Sequence, residues 1–426
     1  MSKRTNKKAN ADGRRDFMKV SALAAAAMNL SMTGSIHAAG KEEIKVGVVG
    51  CGGRGSGATR DSLEADPGVK IMAMADVFED RLKSNLDACK TRFPDRTDVP
   101  AERQFIGFDA YKKVIELDLD YIIFATPPYF RSFHVEEAVN AGKNVFMEKP
   151  VAVDPVGCRR IMAAGDVATQ KKLSVVCGTQ RHHEDCYLEC VEKVREGAIG
   201  DIVSAESYWN QGQLWYKNRE SNWSDMEWMI RNWVNWRWLS GDHIVEQHVH
   251  NIDVVNWFKG THPIRATGSG GRAHRVTGDQ YDFFAIDFEY ADGTHSASYA
   301  RQINGCANAV EERIVGTKGV AQTMSGRTEI TGPNAWKYRR KGKAVVSPYV
   351  QEHIDLIKSI RDGAGLNEAR RIAESTLTAI MGREAAYTGR AVTWDEMMKS
   401  ELKLGPETIN WEVACPEIKI PVPGVA

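Results

Sequence analysis

No apolar run in this 426-residue sequence reaches the ~20 consecutive residues that a bilayer-spanning helix needs. A surplus charge of one sign is also missing. Lys and Arg number 56, as do Asp and Glu, so the formal net charge is +0 and no broad basic field points to a nucleic acid partner. The cysteines at 51, 89, 158, 177, 186, 190, 306 and 415 form no CxxC pair. Most lie in apolar or helical patterns and read as buried small hydrophobes, and their spacing names no disulfide. There is no internal repeat, and no low-complexity tract beyond the leader. What remains is a globular chain, 42% hydrophobic and 26% charged, long enough for two domains.

Residues 1–39 follow a different logic. Lys3, Arg4, Lys7 and Lys8 make a basic start, Arg14-Arg15-Asp16-Phe17-Met18-Lys19 follows, and an Ala-rich apolar stretch runs from Val20 to about Met32. Small residues at Ala38-Ala39 offer a cleavage point. This is the layout of a removable signal peptide, and its paired arginines resemble the twin-arginine export signal. The resemblance implies a soluble periplasmic protein, exported already folded.

Ile44–Val49 is a β-rich run that leads directly into Gly50-Cys51-Gly52-Gly53-Arg54-Gly55, the GxGxxG pattern. A second apolar run from Val69 ends at Asp76, 21 positions after Gly55. A strand, a glycine turn, a helix and a strand tipped by an acid form the dinucleotide-binding βαβ unit. Gly50 permits the tight turn, Gly52 lets a pyrophosphate approach the backbone, and Gly55 lets helix and strand pack closely. Gly53 and Arg54 open the helix, whose free N–H groups favour phosphate. Asp76 would accept from ribose hydroxyls and repel a 2′-phosphate, which selects NAD. Tyr121–Ala125, Asn144–Met147 and Leu173–Cys177 continue the strands, with Thr126 and Pro127 at the carboxyl end of one of them. The fold class is therefore α/β: a doubly wound parallel Rossmann sheet over 40–180, then a second α/β domain over 181–426.

Strand Asn144–Met147 runs into Glu148-Lys149-Pro150, at the end of the sheet where such folds place ligands. With GxGxxG, the Ala125-Thr126-Pro127-Pro128 segment and Arg195–Gly200, this tripeptide resembles the Gfo/Idh/MocA family, relatives of glucose–fructose oxidoreductase and inositol 2-dehydrogenase. The resemblance covers roughly residues 42–400. It implies that the second domain carries an open, largely antiparallel sheet, that Lys149 polarises a reacting hydroxyl, and that Glu148 and Lys149 lie at the cofactor. It further implies a cis Lys149-Pro150 bond and a homo-oligomer, dimer or tetramer.

The segment Ser240–Asp253 reads as one amphipathic helix, with His243, Glu246, Gln247, His250 and Asp253 on its polar face. Matched to the family's pattern, His250 takes the position of the catalytic histidine and Asp253 follows it toward the substrate. Glu246 stands where relatives have Asp, which is a departure. His248 falls on the apolar side and reads as a core histidine. An imidazole with an ordinary pKa near ~6.5 suits removal of an alcohol proton. No metal is expected, because neither His243/Glu246/His250 nor His182-His183-x-x-Cys186 has a recognised ligand spacing.

Tryptophans 209, 215, 223, 228, 233, 236 and 238 lie between the first strand of the second domain and this helix. Aromatic faces stack on sugar C–H faces, so Trp209 and Trp215, with Asn210, Gln211, Gln180 and Arg181, are candidates for carbohydrate binding. Together these readings give an NAD-dependent oxidoreductase acting on a sugar, glycoside or polyol hydroxyl, for example glycoside to 3-keto-glycoside, with NAD retained and recycled in the site. Two alternatives stay open: an NAD-dependent glycosidase working through transient oxidation at C3, and a sugar-binding protein that keeps NAD structurally. Strand-like runs from Phe283 onward, a hairpin turn at Asp292-Gly293, and two helices near 350–361 and 368–387 are expected to complete the second domain. The proline-bearing tail from Cys415 is expected to lie extended on a neighbouring subunit.

Overall fold

The computed structural model describes residues 42–340 and 346–425, so the expected leader at 1–39 lies outside them. All described residues fall in the unit His37–Ala426. The first sheet has six parallel strands: β1 (Ile44–Val49), β2 (Val69–Asp76), β3 (Gln104–Ile106), β4 (Tyr121–Phe124), β5 (Asn144–Met147) and β6 (Val175–Cys177), in the order β3-β2-β1-β4-β5-β6. Helices cover both faces, which explains why every residue of β4 and β5 is buried and all but Asn144 are hydrophobic. The strand expected from Leu173 begins at Val175. Its outer edge is covered by the chain returning from the second domain: Val175 N–H donates to Leu366 at 2.7 Å, and Glu368 N–H to Val175 at 2.9 Å.

The second sheet comprises β7 (Ile202–Gln211), β8 (Arg265–Gly271), β9 (Phe283–Glu289), β10 (His295–Gln302), β11 (Ala309–Gly316), β12 (Val320–Met324), β13 (Arg327–Thr331), β14 (Trp336–Lys337) and β15 (Val392–Thr393). Their order is β14-β13-β12-β11-β7-β10-β9-β8-β15, with β7–β10 parallel and the other pairings antiparallel. Along β9, Phe284, Ile286 and Phe288 alternate inward against the helix Ala369–Thr388. Gly382 makes that approach feasible, since a Cβ there would stand 2.8 Å from the Phe288 ring.

Two expectations are corrected. The helix Pro348–Asp362 does not close the second domain. It buries Leu356, Ile357 and Ile360 with Ile44, Val46, Phe146 and Val176 of the Rossmann core. The tail packs on its own chain: Cys415 N–H donates to Asp225 at 2.8 Å, and the Tyr281 hydroxyl donates to Pro421 at 2.8 Å. No helix among the described residues is long and apolar enough to cross a membrane. All eight cysteines are unpaired thiols.

Candidate active site

Strand β1 ends where Gly50 turns into the left-handed region, at φ +91°. A Cβ there would meet the Thr126 backbone nitrogen at 2.6 Å. One at Gly55 would lie 1.8 Å from the Gly50 carbonyl oxygen, which fixes the helix Gly53–Ala65 against the turn. Gly52 and Gly53, by contrast, face open space. That helix has no side-chain cap and no acid in its first turn, so its positive end stays available to an anion. The turn is braced by Asp76, whose carboxylate accepts from Cys51 N–H at 2.6 Å and Phe78 N–H at 2.9 Å. Burial pushes the Asp76 carboxyl above its usual pKa. Thr126 and Pro127 complete the rim, with the Thr126 hydroxyl 3.4 Å from His134 Nδ1. An open cradle beside a helix N-terminus, with a carboxylate at its far strand, fits a dinucleotide.

Arg54 lines the cavity beside the glycine turn, and its guanidinium is engaged by acids. Its Nε donates to Glu148 at 2.5 Å, and its other nitrogens lie 3.4 Å from Asp61 and 3.7 Å from Glu352. Glu352 is fully buried without a hydrogen bond, and burial beside Glu148 holds its carboxyl well above the usual range. Sequence reasoning missed this acid because it arrives on the helix that crosses back to the first domain. It also missed Arg131, which donates to the Pro150 carbonyl at 2.6 Å beneath the catalytic turn. The Lys149-Pro150 bond is cis, as expected.

Lys149 Nζ donates to the Glu246 carboxylate at 3.0 Å and also to the Glu246 carbonyl. Glu246 accepts as well from Gln247 Nε2 at 2.5 Å. His250 is buried beside them. Burial and the charges of Lys149 and Arg181 hold its imidazole well below the ordinary histidine pKa. The ring is therefore neutral and able to accept a proton, although its value departs from the ~6.5 of an exposed histidine. Its face stacks on Trp209 at 5.5 Å and 18°. Trp209 Nε1 in turn donates to Gln211 Oε1 at 2.9 Å, which leaves Gln211 Nε2 buried without a partner. Gln180 Oε1 is unpartnered in the same way.

Several candidates sit elsewhere than the sequence suggested. The helix is not continuous: it runs His243–Glu246, breaks at Gln247, and resumes over Val249–Lys259. His243 consequently enters the core, 5.1 Å from Phe284, with both ring nitrogens unpartnered. The Asp253 carboxylate is taken up by protein donors. It accepts from Arg371 at 2.9 Å, His182 at 2.7 Å and Ser375 at 2.7 Å. Burial alone would raise its pKa, but Arg371 and His182 outweigh burial and hold it far below the carboxylate range. Arg181 pairs with buried Glu312 at 2.7 Å, and strand alternation puts Asn210 on the sheet face opposite Trp209 and Gln211. Trp215 lines the nucleotide cavity rather than the Lys149–His250 site. His248 is the expected core histidine, bonded to Ser298 at 2.6 Å. No cluster of metal-ligating side chains occurs among the described residues.

Comparison with known proteins agrees with the two-domain fold. Residues 44–186 match the family described as "Oxidoreductase family, NAD-binding Rossmann fold", and residues 187–322 match the "GFO/IDH/MocA C-terminal domain". An inositol 2-dehydrogenase of Acidothermus cellulolyticus is 26% identical over 235 residues, 55% of this chain and 59% of that protein. A glycosyl hydrolase family 109 protein of Shewanella pealeana is 27% identical over 179 residues, 41% of this chain and 37% of that protein. Each match thus spans less than two thirds of the relative's length. The scyllo-inositol dehydrogenase of Lactobacillus casei, solved with NAD(H) and scyllo-inositol, superposes with a TM-score of 0.61 at 22% identity, covering 82% of this chain and 99% of that one.

Proposed function

Because the chain belongs to the Gfo/Idh/MocA oxidoreductase family, whose first domain binds NAD, we propose that it oxidises a hydroxyl of a sugar, glycoside or polyol. The observation that carries this reading is the 3.0 Å contact between Lys149 of the first domain and Glu246 of the second, beside a neutral, buried His250. NAD held in the glycine cradle supplies the hydride acceptor. Lys149, oriented by Glu246, binds the reacting hydroxyl and stabilises negative charge as it develops on oxygen. His250 takes the hydroxyl proton, and stacking on Trp209 fixes the plane of its ring. The unpaired Gln180 Oε1 and Gln211 Nε2 are an acceptor and a donor suited to neighbouring hydroxyls. The inositol dehydrogenases among the similar proteins support a polyhydroxylated substrate.

The basic, paired-arginine leader supports a periplasmic workplace, where no free NAD pool exists, so the cofactor is retained and recycled. The stacked Tyr208–Tyr299 pair on the outer face of the second sheet, centroids 5.3 Å apart, supports assembly into a homo-oligomer. Similarity to a glycosyl hydrolase favours one second reading, in which oxidation is transient and a glycosidic bond is cleaved. Screening purified protein with sugars, inositols and chromogenic glycosides tests both. A keto product means dehydrogenase, and steady aglycone release without added acceptor means glycosidase. Sugar binding with neither a keto product nor aglycone release, and no transient change in nicotinamide absorbance, refutes both. His250→Asn should abolish turnover and keep NAD bound.

A further inference from the structure

The glycine cradle opens into a cavity of about 580 Å³. One wall belongs to the Rossmann domain: Gly50, Gly52, Asp76, Phe78, Arg81 and Thr126. The facing wall comes from the second domain and consists of Trp215, Tyr216, Lys217, Ile230, Arg231 and Trp233. We propose that the segment 215–233 is a clamp on the adenosine half of the dinucleotide, locked by Arg231. This rests on the NAD-binding reading above and adds to it the residues that retain the cofactor.

Three sets of contacts carry the argument. The clamp is internally ordered: Lys217 N–H donates to Asn232 at 2.8 Å, Trp228 Nε1 to the Lys217 carbonyl at 2.9 Å, and Asn235 Nδ2 to the Trp215 carbonyl at 3.2 Å. It is also fastened to the opposite wall. The two terminal nitrogens of Arg231 donate to the two Asp80 oxygens at 3.2 and 3.1 Å, and its guanidinium lies 3.8 Å from the Phe78 ring centroid. A fork bonded to a carboxylate and laid on an aromatic face holds two chain segments in one geometry. Finally, the C-terminal tail backs the closure. Trp411 packs 5.9 Å from Phe78 and 4.8 Å from Phe108, and Cys415 N–H donates to Asp225 at 2.8 Å. Asp80 and Phe78 follow directly on Asp76, so the lock closes over the strand tip that binds ribose in such folds. Aromatic walls on the second-domain side suit the flat faces of adenine. Release of a bound dinucleotide past this wall requires Arg231 to leave Asp80.

The test follows dissociation of fluorescent ethenoadenine NAD from the full-length protein after dilution into excess unlabelled NAD. Arg231→Ala should speed release about tenfold, since it removes both the ion pair and the ring contact. Asp80→Asn, at an exposed position that leaves the fold undisturbed, should speed it about threefold. Release at the wild-type rate in Asp80→Asn and in folded Arg231→Ala would overturn the clamp while leaving NAD binding intact. A wild-type protein that takes up no NAD would overturn the cofactor reading together with the clamp.

Discussion

Lys149 and Glu246 stand 97 positions apart in the chain and meet at 3.0 Å, each largely buried. The pair joins the end of β5 to the break between the two short helices of the second domain, so the ammonium cannot be repositioned without moving Glu246. Replacing Lys149 by Met should therefore cost about 10²–10³ in kcat with the NAD content unchanged, the scale of losing one preorganised charge donor. Glu246→Asp should keep part of the activity and Glu246→Ala less, because the shorter carboxylate can still receive the ammonium. Steady-state kinetics on protein of measured NAD content checks the order.

Asp76 braces the glycine turn through Cys51 and Phe78 while lining the cofactor cavity. Asp76→Ala removes two charge-assisted hydrogen bonds and the repulsion of a 2′-phosphate. NAD affinity should fall about 10- to 100-fold, on the scale of ~1.5–3 kcal/mol for a hydrogen bond to a charged group. The preference for NAD over NADP should narrow, and titration with both nucleotides reads each effect.

Gly55 and Gly52 should separate folding from binding. A methyl at Gly55 would drive into the Gly50 carbonyl, so Gly55→Ala should cost about 3 kcal/mol or more, backbone having less room to yield than side chains. A methyl at Gly52 meets nothing within 4 Å, so Gly52→Ala should melt like wild type and still bind NAD poorly. Thermal unfolding of the cofactor-free proteins, set beside NAD titration, distinguishes the two.

Acid sensitivity follows from the buried histidines. Burial holds His134 and His248 down at about 3, and His243, His250 and His353 well below the ordinary value. Unfolded histidine takes up a proton near ~6.5 while these do not, so the unfolded state binds more protons below that pH. His134 and His248 should each cost on the order of 1.4 kcal/mol per pH unit as pH falls from ~6.5 toward about 3, and the other three act in the same direction. His183 runs the other way. Burial alone would lower it, but Asp355 and Glu368 raise it to about 10. Its contribution is complete below ~6.5 and is lost as pH climbs toward about 10. Stability should therefore fall steeply on the acid side, and denaturant midpoints measured between pH 7 and 5 check this.

Much of the first domain was legible because its strands are buried on both faces and so appear as runs of Val, Ile and Phe. The glycine turn, Asp76, Lys149 and His250 were legible because their chemistry demands particular residues at fixed spacing. What escaped depended on distant chain. The break at Gln247 leaves little trace in a pattern of 3.6-residue period, and it rotates His243 into the core. Asp253 looked like a substrate ligand until Arg371, 118 positions later, took its oxygens. Trp215 looked like a sugar platform because an aromatic side chain does not declare which cavity it lines. Asn210 failed on a simpler point, since its two neighbours on β7 already faced the site and strand alternation excludes it.

The return of residues 366–368 to the edge of β6 has a consequence for biosynthesis. Cys177 N–H donates to the Glu368 carboxylate at 2.8 Å, a partner made 191 residues later. While the ribosome is still translating the second sheet, the nascent nucleotide-binding half has a bare edge and lacks the helix that covers its core. A half-made chain, or a fragment cut near 180, leaves that edge without its backbone partners and that core without Leu356, Ile357 and Ile360.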